Sequence, residues 1–144
     1  MANTYVIYNK HGSSAAPLVL GVHDSAPTQV VQSTPDASKG AQVWSIHDLR
    51  GTCAFFLKHE ASGLFVKTGD LGAPVTLAPL DPHDSNFALE LTNTSGAFVF
   101  IRTGDTGDNF GVTDDSTADG AAVVTVASGS LGDSQEWMFV PTAA

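Results

Sequence analysis

The sequence predicts an all-β fold built from three similar units, and three observations support this prediction. Short segments rich in Val, Phe, Leu and Thr have the composition of β-strands, and Gly, Pro, Asp and Ser interrupt them every six to ten residues. Helical periodicity is nearly absent. Segments of similar sequence also recur at a regular interval along the 144 residues. A chain of this length fits one domain, which we place at 1–144.

The recurring segments align at an interval of 46 residues. Leu18-Val19-Leu20, Leu64-Phe65-Val66 and Phe110-Gly111-Val112 each begin a predicted strand, and turn-forming polar residues follow each one. Three further predicted strands belong to each unit. The preceding strands are 5–9, 54–59 and 98–102; the second hairpin strands are 29–32, 75–78 and 124–127; the last strands are 42–46, 85–89 and 135–139.

Each unit therefore holds four short strands, with repeats at about 1–50, 51–95 and 96–144. One such unit cannot bury its apolar face alone, so the three units must pack around a common axis. A propeller normally needs at least four blades. We therefore predict a β-trefoil of three four-stranded repeats with pseudo-three-fold symmetry. A β-sandwich with evenly spaced strands is the alternative architecture.

The charge balance excludes two classes of partner. Fifteen acidic residues against six scattered basic ones leave a net charge of −9, which disfavours nucleic acid and anionic membrane surfaces. Apolar runs are too short for membrane insertion.

Cys53 is the single cysteine, so no intrachain disulfide is expected. The first residues show no signal-peptide pattern, and we expect a cytoplasmic protein, or one exported without a signal peptide.

Two copies of a Gln-x-Trp motif lie near the ends of the first and third repeats, as Gln42-Val43-Trp44 and Gln135-Glu136-Trp137. This pattern resembles the ricin B-like (R-type) β-trefoil lectins, over essentially the whole chain and most like the cytosolic fungal members. The resemblance implies a lectin that binds glycans or glycoproteins of the galactose or N-acetylgalactosamine type. It also implies a role in defence or storage, and avidity from several sites or from a homodimer.

The same resemblance assigns the motif residues to the core. Trp44 and Trp137 are expected to point inward, and Gln42 and Gln135 to fasten a neighbouring turn with their amides. In the second repeat Phe87 is predicted in the tryptophan position. Ser85 then takes the glutamine position, or Asn86 does if the alignment shifts by one residue.

The chain departs from the family at the ligand positions. R-type lectins have an Asp directly after the first strand of a repeat, where this chain has Gly21, Lys67 and Thr113. No aromatic residue follows the second strand in any repeat. Other polar residues near the hairpins are the candidate carbohydrate ligands, although Asp and Asn are also common turn residues. The candidates are Asp24 in the first repeat; Asp70, Asp84 and Asn86 in the second; and Asn109, Asp114, Asp115 and Asp133 in the third.

Sequence signs of catalysis are weak. His-Asp pairs occur at 23–24, 47–48 and 83–84, but adjacent strand residues point in opposite directions and do not converge on a metal. No nucleophile elbow, phosphate loop or dinucleotide fingerprint is present. We therefore expect no enzyme activity, catalytic residue, metal or cofactor. A β-trefoil protease inhibitor, or a protein-binding module without sugar binding, is the alternative function.

Overall fold

A computed structural model describes residues 4–12, 15–36, 42–48, 54–93, 96–104, 107–127 and 133–142. Cys53 lies outside these ranges, as do the side chains of Asp115 and Asp133. The described residues form strands with three short 3-10 turns at Ser85–Phe87, Thr113–Asp115 and Asp133–Gln135. The strands are β1 (Thr4–Asn9), β2 (Val19–Val22), β3 (Val30–Ser33), β4 (Trp44–Asp48), β5 (Phe55–His59), β6 (Phe65–Lys67), β7 (Thr76–Ala78), β8 (Leu89–Asn93), β9 (Val99–Thr103), β10 (Asn109–Val112), β11 (Val123–Val126) and β12 (Trp137–Pro141).

Six of these strands close into an antiparallel barrel. Strand β1 pairs with β12 and β4, β5 pairs with β4 and β8, and β9 pairs with β8 and β12. The remaining strands form the hairpins β2–β3, β6–β7 and β10–β11, each joined to the barrel through its first strand. A barrel with three hairpins at pseudo-three-fold positions is a β-trefoil, so the predicted fold class is confirmed.

The three hairpins bond to one another around the axis. Backbone N–H groups of Gln32, Leu77 and Thr125 donate to carbonyls of Ala121, Thr28 and Ala73, each belonging to a different repeat. The second hairpin is thus hydrogen-bonded to the first, the third to the second, and the first to the third, which closes a ring. Closing the ring satisfies backbone groups that an isolated hairpin would leave exposed.

Strand pairing identifies the equivalent residues of the three repeats and corrects the predicted spacing. The first hairpin strands pair with the barrel at Val19, Phe65 and Asn109, which lie 46 and 44 residues apart. Phe110 is therefore equivalent to Leu20 and not to Leu18. The equal interval of 46 was wrong by two residues for the third repeat, because the segment from Phe65 to Arg102 is two residues shorter than the equivalent segment from Val19 to Lys58.

Four positions in each repeat are fully buried in all three copies. One lies in each barrel strand and one in, or for Val75 directly before, each hairpin strand, so the core consists of layers of three equivalent side chains. The layers are Ile7, Leu57 and Ile101; Leu20, Val66 and Phe110; Val30, Val75 and Val123; and Trp44, Leu89 and Trp137. Burying these apolar groups drives the three units together, since none has a core of its own.

The register also corrects the position of Phe87. Trp44, Leu89 and Trp137 pair with the barrel at equivalent residues, Tyr5, Phe55 and Val99. Leu89 therefore takes the tryptophan position of the second repeat, and Phe87, two residues earlier, takes the glutamine position. Phe87 is buried, as are Gln42 and Gln135, so the second repeat keeps an apolar core while losing both motif side chains.

Candidate functional site

The strand register brings three of the predicted ligand residues to equivalent places. Asp24, Asp70 and Asp114 each lie five residues after the first paired residue of their hairpin, and all three are exposed. Asp114 has a left-handed backbone with φ of 53°, which Asp tolerates better than most residues. The three repeats therefore present the same carboxylate at the same point of each hairpin.

Asp84 and Asn86 organise a turn of the second repeat. The Asp84 carboxylate accepts a bond from the Asn86 backbone N–H at 3.0 Å, and its other oxygen lies 3.6 Å from Lys67 Nζ. The Asn86 carbonyl accepts from the N–H and the hydroxyl of Thr68 at 2.9 and 3.0 Å. These contacts make both residues part of the turn that leads into β8.

Asn109 belongs to the core and is corrected as a ligand candidate. Its side chain is 1% exposed, and its amide donates to Gln135 Oε1 at 2.9 Å. A sugar outside the barrel cannot reach this amide. The amide instead ties the start of β10 to the motif glutamine. Asp115 and Asp133 lie in 3-10 turns, but their side chains are outside the described part of the chain, so their assignment stays a prediction.

The position of the family Asp is blocked by packing in two repeats. The register makes Gly21, Lys67 and Gly111 equivalent, so the predicted third position, Thr113, was wrong by two residues. A Cβ on Gly21 would lie 2.8 Å from Ser33 Oγ, and one on Gly111 would lie 2.8 Å from Val126 Cγ2. In the second repeat the Lys67 ammonium lies 5.7 Å from the centre of the Phe87 ring.

We expect Gly21→Asp to destabilise the protein without creating a sugar site. The crowding at Ser33 predicts a loss of about 1–3 kcal/mol in the free energy of unfolding, measured by urea denaturation. Gly21→Asp combined with Ser33→Gly removes the nearest atoms and should recover part of that loss. A Gly21→Asp variant as stable as the parent would contradict the close packing described here.

A cavity of about 470 Å³ lies beside the first hairpin, and we call it the β2–β3 cavity. It combines a polar wall with a small apolar surface and includes residues of the third repeat. It is lined by Val22, His23, Asp24, Val31, Ser33, Thr34, Pro35, Asp36, Asp119 and Gly120. Its size is in the range of small-molecule sites, and of the predicted ligand residues it contains Asp24.

The motif glutamine of the first repeat holds one wall of this cavity. Gln42 Nε2 donates to the Thr34 carbonyl at 2.8 Å, and the Asp36 N–H donates to Gln42 Oε1 at 2.8 Å. Both ends of the amide are therefore used to fix the turn from Thr34 to Asp36. The Trp44 indole, two residues further on, donates to the Leu20 carbonyl at 3.0 Å. The wall is thus preorganised by the core.

Another part of the cavity lining comes from a distant part of the sequence. Asp119 Oδ1 accepts a bond from the Thr34 N–H at 3.1 Å, across 85 residues. A carboxylate of the third repeat therefore lines the same cavity as Asp24 and Asp36. The sequence shows an Asp in a hairpin loop but contains no signal that joins it to the first repeat. In the sequence alone, Asp36 likewise has the pattern of an ordinary turn residue, because it follows Pro35.

His23 adds an imidazole ring to the lining of the β2–β3 cavity. The Ser25 backbone N–H donates to His23 Nδ1 at 3.1 Å. Nδ1 thus acts as an acceptor, which leaves Nε2 as the donor nitrogen of the ring. His23 lines the cavity together with carboxylates and hydroxyls.

A serine, a histidine and a glutamate lie together on the barrel without forming a catalytic relay. Ser45 Oγ lies 2.9 Å from His47 Nε2 and 3.2 Å from Glu60 Oε2, so both partners bind the same hydroxyl. Ser45 is 2% exposed, which keeps it from a substrate. Among the residues that the structure describes, no group of three or more His, Cys, Asp or Glu side chains could hold a metal ion.

The helical turns within the described ranges are all too short and too polar to cross a membrane.

Comparison with solved structures shows the same fold in other proteins. A designed three-fold symmetric protein, ThreeFoil, has a TM-score of 0.83 and 23% identity, over 95% of this chain and 97% of that one. The ricin B-like lectin of Macrolepiota procera, solved in complex with lactose, has a TM-score of 0.77 and 18% identity, over 96% and 94%. A mosquitocidal holotoxin reaches a TM-score of 0.85 with 16% identity, over 100% of this chain and 17% of its own length.

No protein-family model matches the sequence, and no curated protein matches it. Identities below a quarter show the fold alone, and that fold is the β-trefoil.

Proposed function

We propose that this chain is a non-enzymatic lectin that binds glycans in the β2–β3 cavity. The observation that carries the proposal is the lining of that cavity. Carboxylates of Asp24, Asp36 and Asp119 stand beside the hydroxyls of Ser33 and Thr34. Val22, Val31 and Pro35 add a small apolar surface. This combination suits a sugar, which has hydroxyl groups on its edges and an apolar C–H face.

The chemistry of recognition follows from the donors and acceptors. Sugar hydroxyls would donate to the carboxylates in charge-assisted hydrogen bonds, which are about twice as strong as neutral ones. The His23 Nε2–H would donate to a ring or hydroxyl oxygen. Because the walls are held by Gln42 and by the Thr34–Asp119 bond, little ordering is needed on binding.

The solved neighbours support a sugar as the ligand class. The Macrolepiota procera lectin has this fold and was solved with lactose bound. In our chain Gly21 stands at the position of the family Asp, so the ligand contacts would come from Asp24, Asp36 and Asp119 instead. The lactose bound to that neighbour makes galactose and N-acetylgalactosamine the first sugars to test. A homodimer would raise avidity, since single shallow sites bind weakly.

The protease-inhibitor alternative has one supporting feature, the exposed Leu71. This side chain is 60% exposed on the β6–β7 connection. The Ala73 N–H donates to the Asp70 carbonyl at 2.9 Å, and Gly72 has φ of 83°, which define a tight turn. A segment that enters a protease cleft as a substrate does must be extended, so we favour the lectin.

A glycan array with the labelled protein tests the proposal. We expect binding to neutral glycans, reversed by the free sugar in solution, and, for a homodimer with one site on each chain, haemagglutination that the same sugar blocks. Inhibition assays with serine and cysteine proteases run in parallel. Silence on the array and in haemagglutination would overturn the lectin, and protease inhibition with that silence would establish the alternative.

A further inference from the structure

A second cavity adjoins the proposed site. It measures about 510 Å³ and lies between the β1–β2 connection and a loop of the third repeat; we call it the β1–β2 cavity. Its lining is His11, Gly12, Ala15, Ala16, Pro17, Leu18, Thr34, Thr117 and Asp119. Thr34 and Asp119 also line the β2–β3 cavity. The two cavities therefore meet at the Thr34–Asp119 hydrogen bond.

Hydrogen bonds from a buried residue hold the wall that the two cavities share. Gln32 is fully buried, and its Nε2 donates to the carbonyls of Ser116 and Ala118 at 2.7 and 2.8 Å. The Gly120 N–H donates to the Gln32 carbonyl at 2.8 Å. The bonded residues Ser116, Ala118 and Gly120 flank Thr117 and Asp119 in the sequence. Their positions are thus set by the first repeat, before any ligand arrives.

The lining of the β1–β2 cavity suits a sugar ring. Ala15, Ala16 and Pro17 provide a small apolar surface, and Thr117 and Asp119 provide a hydroxyl and a carboxylate. Such a mixture gives an apolar face for C–H groups and a few placed polar atoms for hydroxyl groups. The β2–β3 cavity has the same mixture, so consecutive sugar residues would meet similar chemistry in both.

The charge of the two cavities limits the sugar class. Asp24, Asp36 and Asp119 contribute carboxylates, and none of the lining residues is lysine or arginine. The whole chain carries a net charge of −9. A sialic acid, sulfate or phosphate group would meet like charge in a partly desolvated site, which raises the free energy of the complex.

We propose that the two cavities form one groove that takes a linear, non-anionic oligosaccharide of at least two sugar residues. One residue occupies the β2–β3 cavity, the glycosidic linkage crosses at Thr34 and Asp119, and the next residue occupies the β1–β2 cavity. This inference rests on the proposed function and specifies its ligand. The β1–β2 cavity is thus a subsite that a monosaccharide leaves empty.

Isothermal titration with galactose, lactose and lacto-N-neotetraose tests the length of the ligand. We expect the affinity to rise about tenfold or more from the monosaccharide to the longer sugars. We expect 3′-sialyllactose to bind more weakly than lactose. If the array identifies a different neutral glycan, its own mono-, di- and tetrasaccharide forms replace this series.

Two substitutions outside the β2–β3 cavity separate the subsites. Thr117→Val removes one hydroxyl at constant shape, and Ala15→Gln fills part of the β1–β2 cavity. Each should weaken the tetrasaccharide about 2–10-fold and leave the monosaccharide unchanged. Thermal unfolding of both variants checks that they are folded, and Ala61→Gln, on an exposed turn outside both cavities, is the matched control.

The outcomes distinguish this inference from the proposed function. If no glycan of any length binds the parent protein, the proposed function fails, and the inference fails with it. If monosaccharide and tetrasaccharide bind equally, and both variants bind like the parent, the lectin stands and the extended groove is wrong. Tighter binding of 3′-sialyllactose than of lactose would overturn the charge argument.

Discussion

Trp44→Ala is expected to lower the free energy of unfolding by about 3–5 kcal/mol, the range for removing a buried tryptophan. Trp44 is fully buried beside the ring of His59, with ring centres 5.0 Å apart. Its indole N–H donates to the Leu20 carbonyl at 3.0 Å. Alanine leaves a cavity at the core and a buried carbonyl without its partner, and both effects destabilise the folded state.

The equivalent residue of the second repeat suggests a milder substitution of Trp44 for comparison with alanine. Leu89 occupies the equivalent place in the second repeat, so the architecture accepts leucine there. We expect Trp44→Leu to cost less than Trp44→Ala, but still more than about 1 kcal/mol, because the Leu20 carbonyl loses its donor. If Trp44→Ala fails to fold, the leucine variant still tests the prediction.

Urea denaturation followed by far-UV circular dichroism measures both variants. Trp137 is the second of two tryptophans in the chain, so its fluorescence follows unfolding in the absence of Trp44. Leu91→Ala is the control: Leu91 is 40% exposed on β8, and its loss should change stability by less than about 0.5 kcal/mol. Equal effects of Trp44→Ala and Leu91→Ala would contradict the layered core.

Asp24→Asn is expected to weaken glycan binding by about tenfold or more. Asp24 lines the β2–β3 cavity, and a hydrogen bond from a sugar hydroxyl to a carboxylate contributes about 1.5–3 kcal/mol. The amide keeps the shape of the carboxylate and removes its charge. The loss should therefore appear in affinity, measured by titration with the glycan that the array identifies, while the unfolding midpoint stays nearly constant.

The three-fold repeat provides matched controls for this variant. Asp70 and Asp114 are equivalent to Asp24 by strand register and are likewise exposed. Neither lines the β2–β3 cavity, so Asp70→Asn and Asp114→Asn should bind as the parent does. If either of them abolishes binding and Asp24→Asn does not, the site lies on another repeat, and the assignment to the β2–β3 cavity is wrong.

Much of the fold follows from local sequence patterns. Segments of alternating Val, Leu and Phe between turn residues predict the strands. Successive side chains of a strand point to opposite faces, so a strand with one buried face needs an apolar residue at every second position. The positions of β1, β5, β9 and their hairpins agree with the predicted segments within one or two residues. The errors lie in the alignment between repeats: a pattern of short strands does not reveal that the segment from β6 to β9 is two residues shorter than the segment from β2 to β5.

The same limit explains the errors at Phe87 and Asn109. Phe87 and Leu89 are both apolar and both buried, and composition alone does not say which one takes the place of tryptophan. Backbone pairing decides it, because the partner of each strand residue fixes its position in the barrel. Asn109 has the residue type of a surface ligand, yet its bond to Gln135 places it inside.

What the sequence determined by itself is the architecture: three repeats of four strands, an all-β core with buried Trp44 and Trp137, and a chain with an acidic surface. Hydrophobic periodicity and repeat length are local properties, so they can be taken directly from the residues. The tertiary structure decided where a ligand could bind. Hydrogen bonds join residues of the first and third repeats, from Thr34 to Asp119 and from Gln32 to the carbonyls of Ser116 and Ala118. These contacts form only when the ring of hairpins closes, which no local sequence pattern encodes.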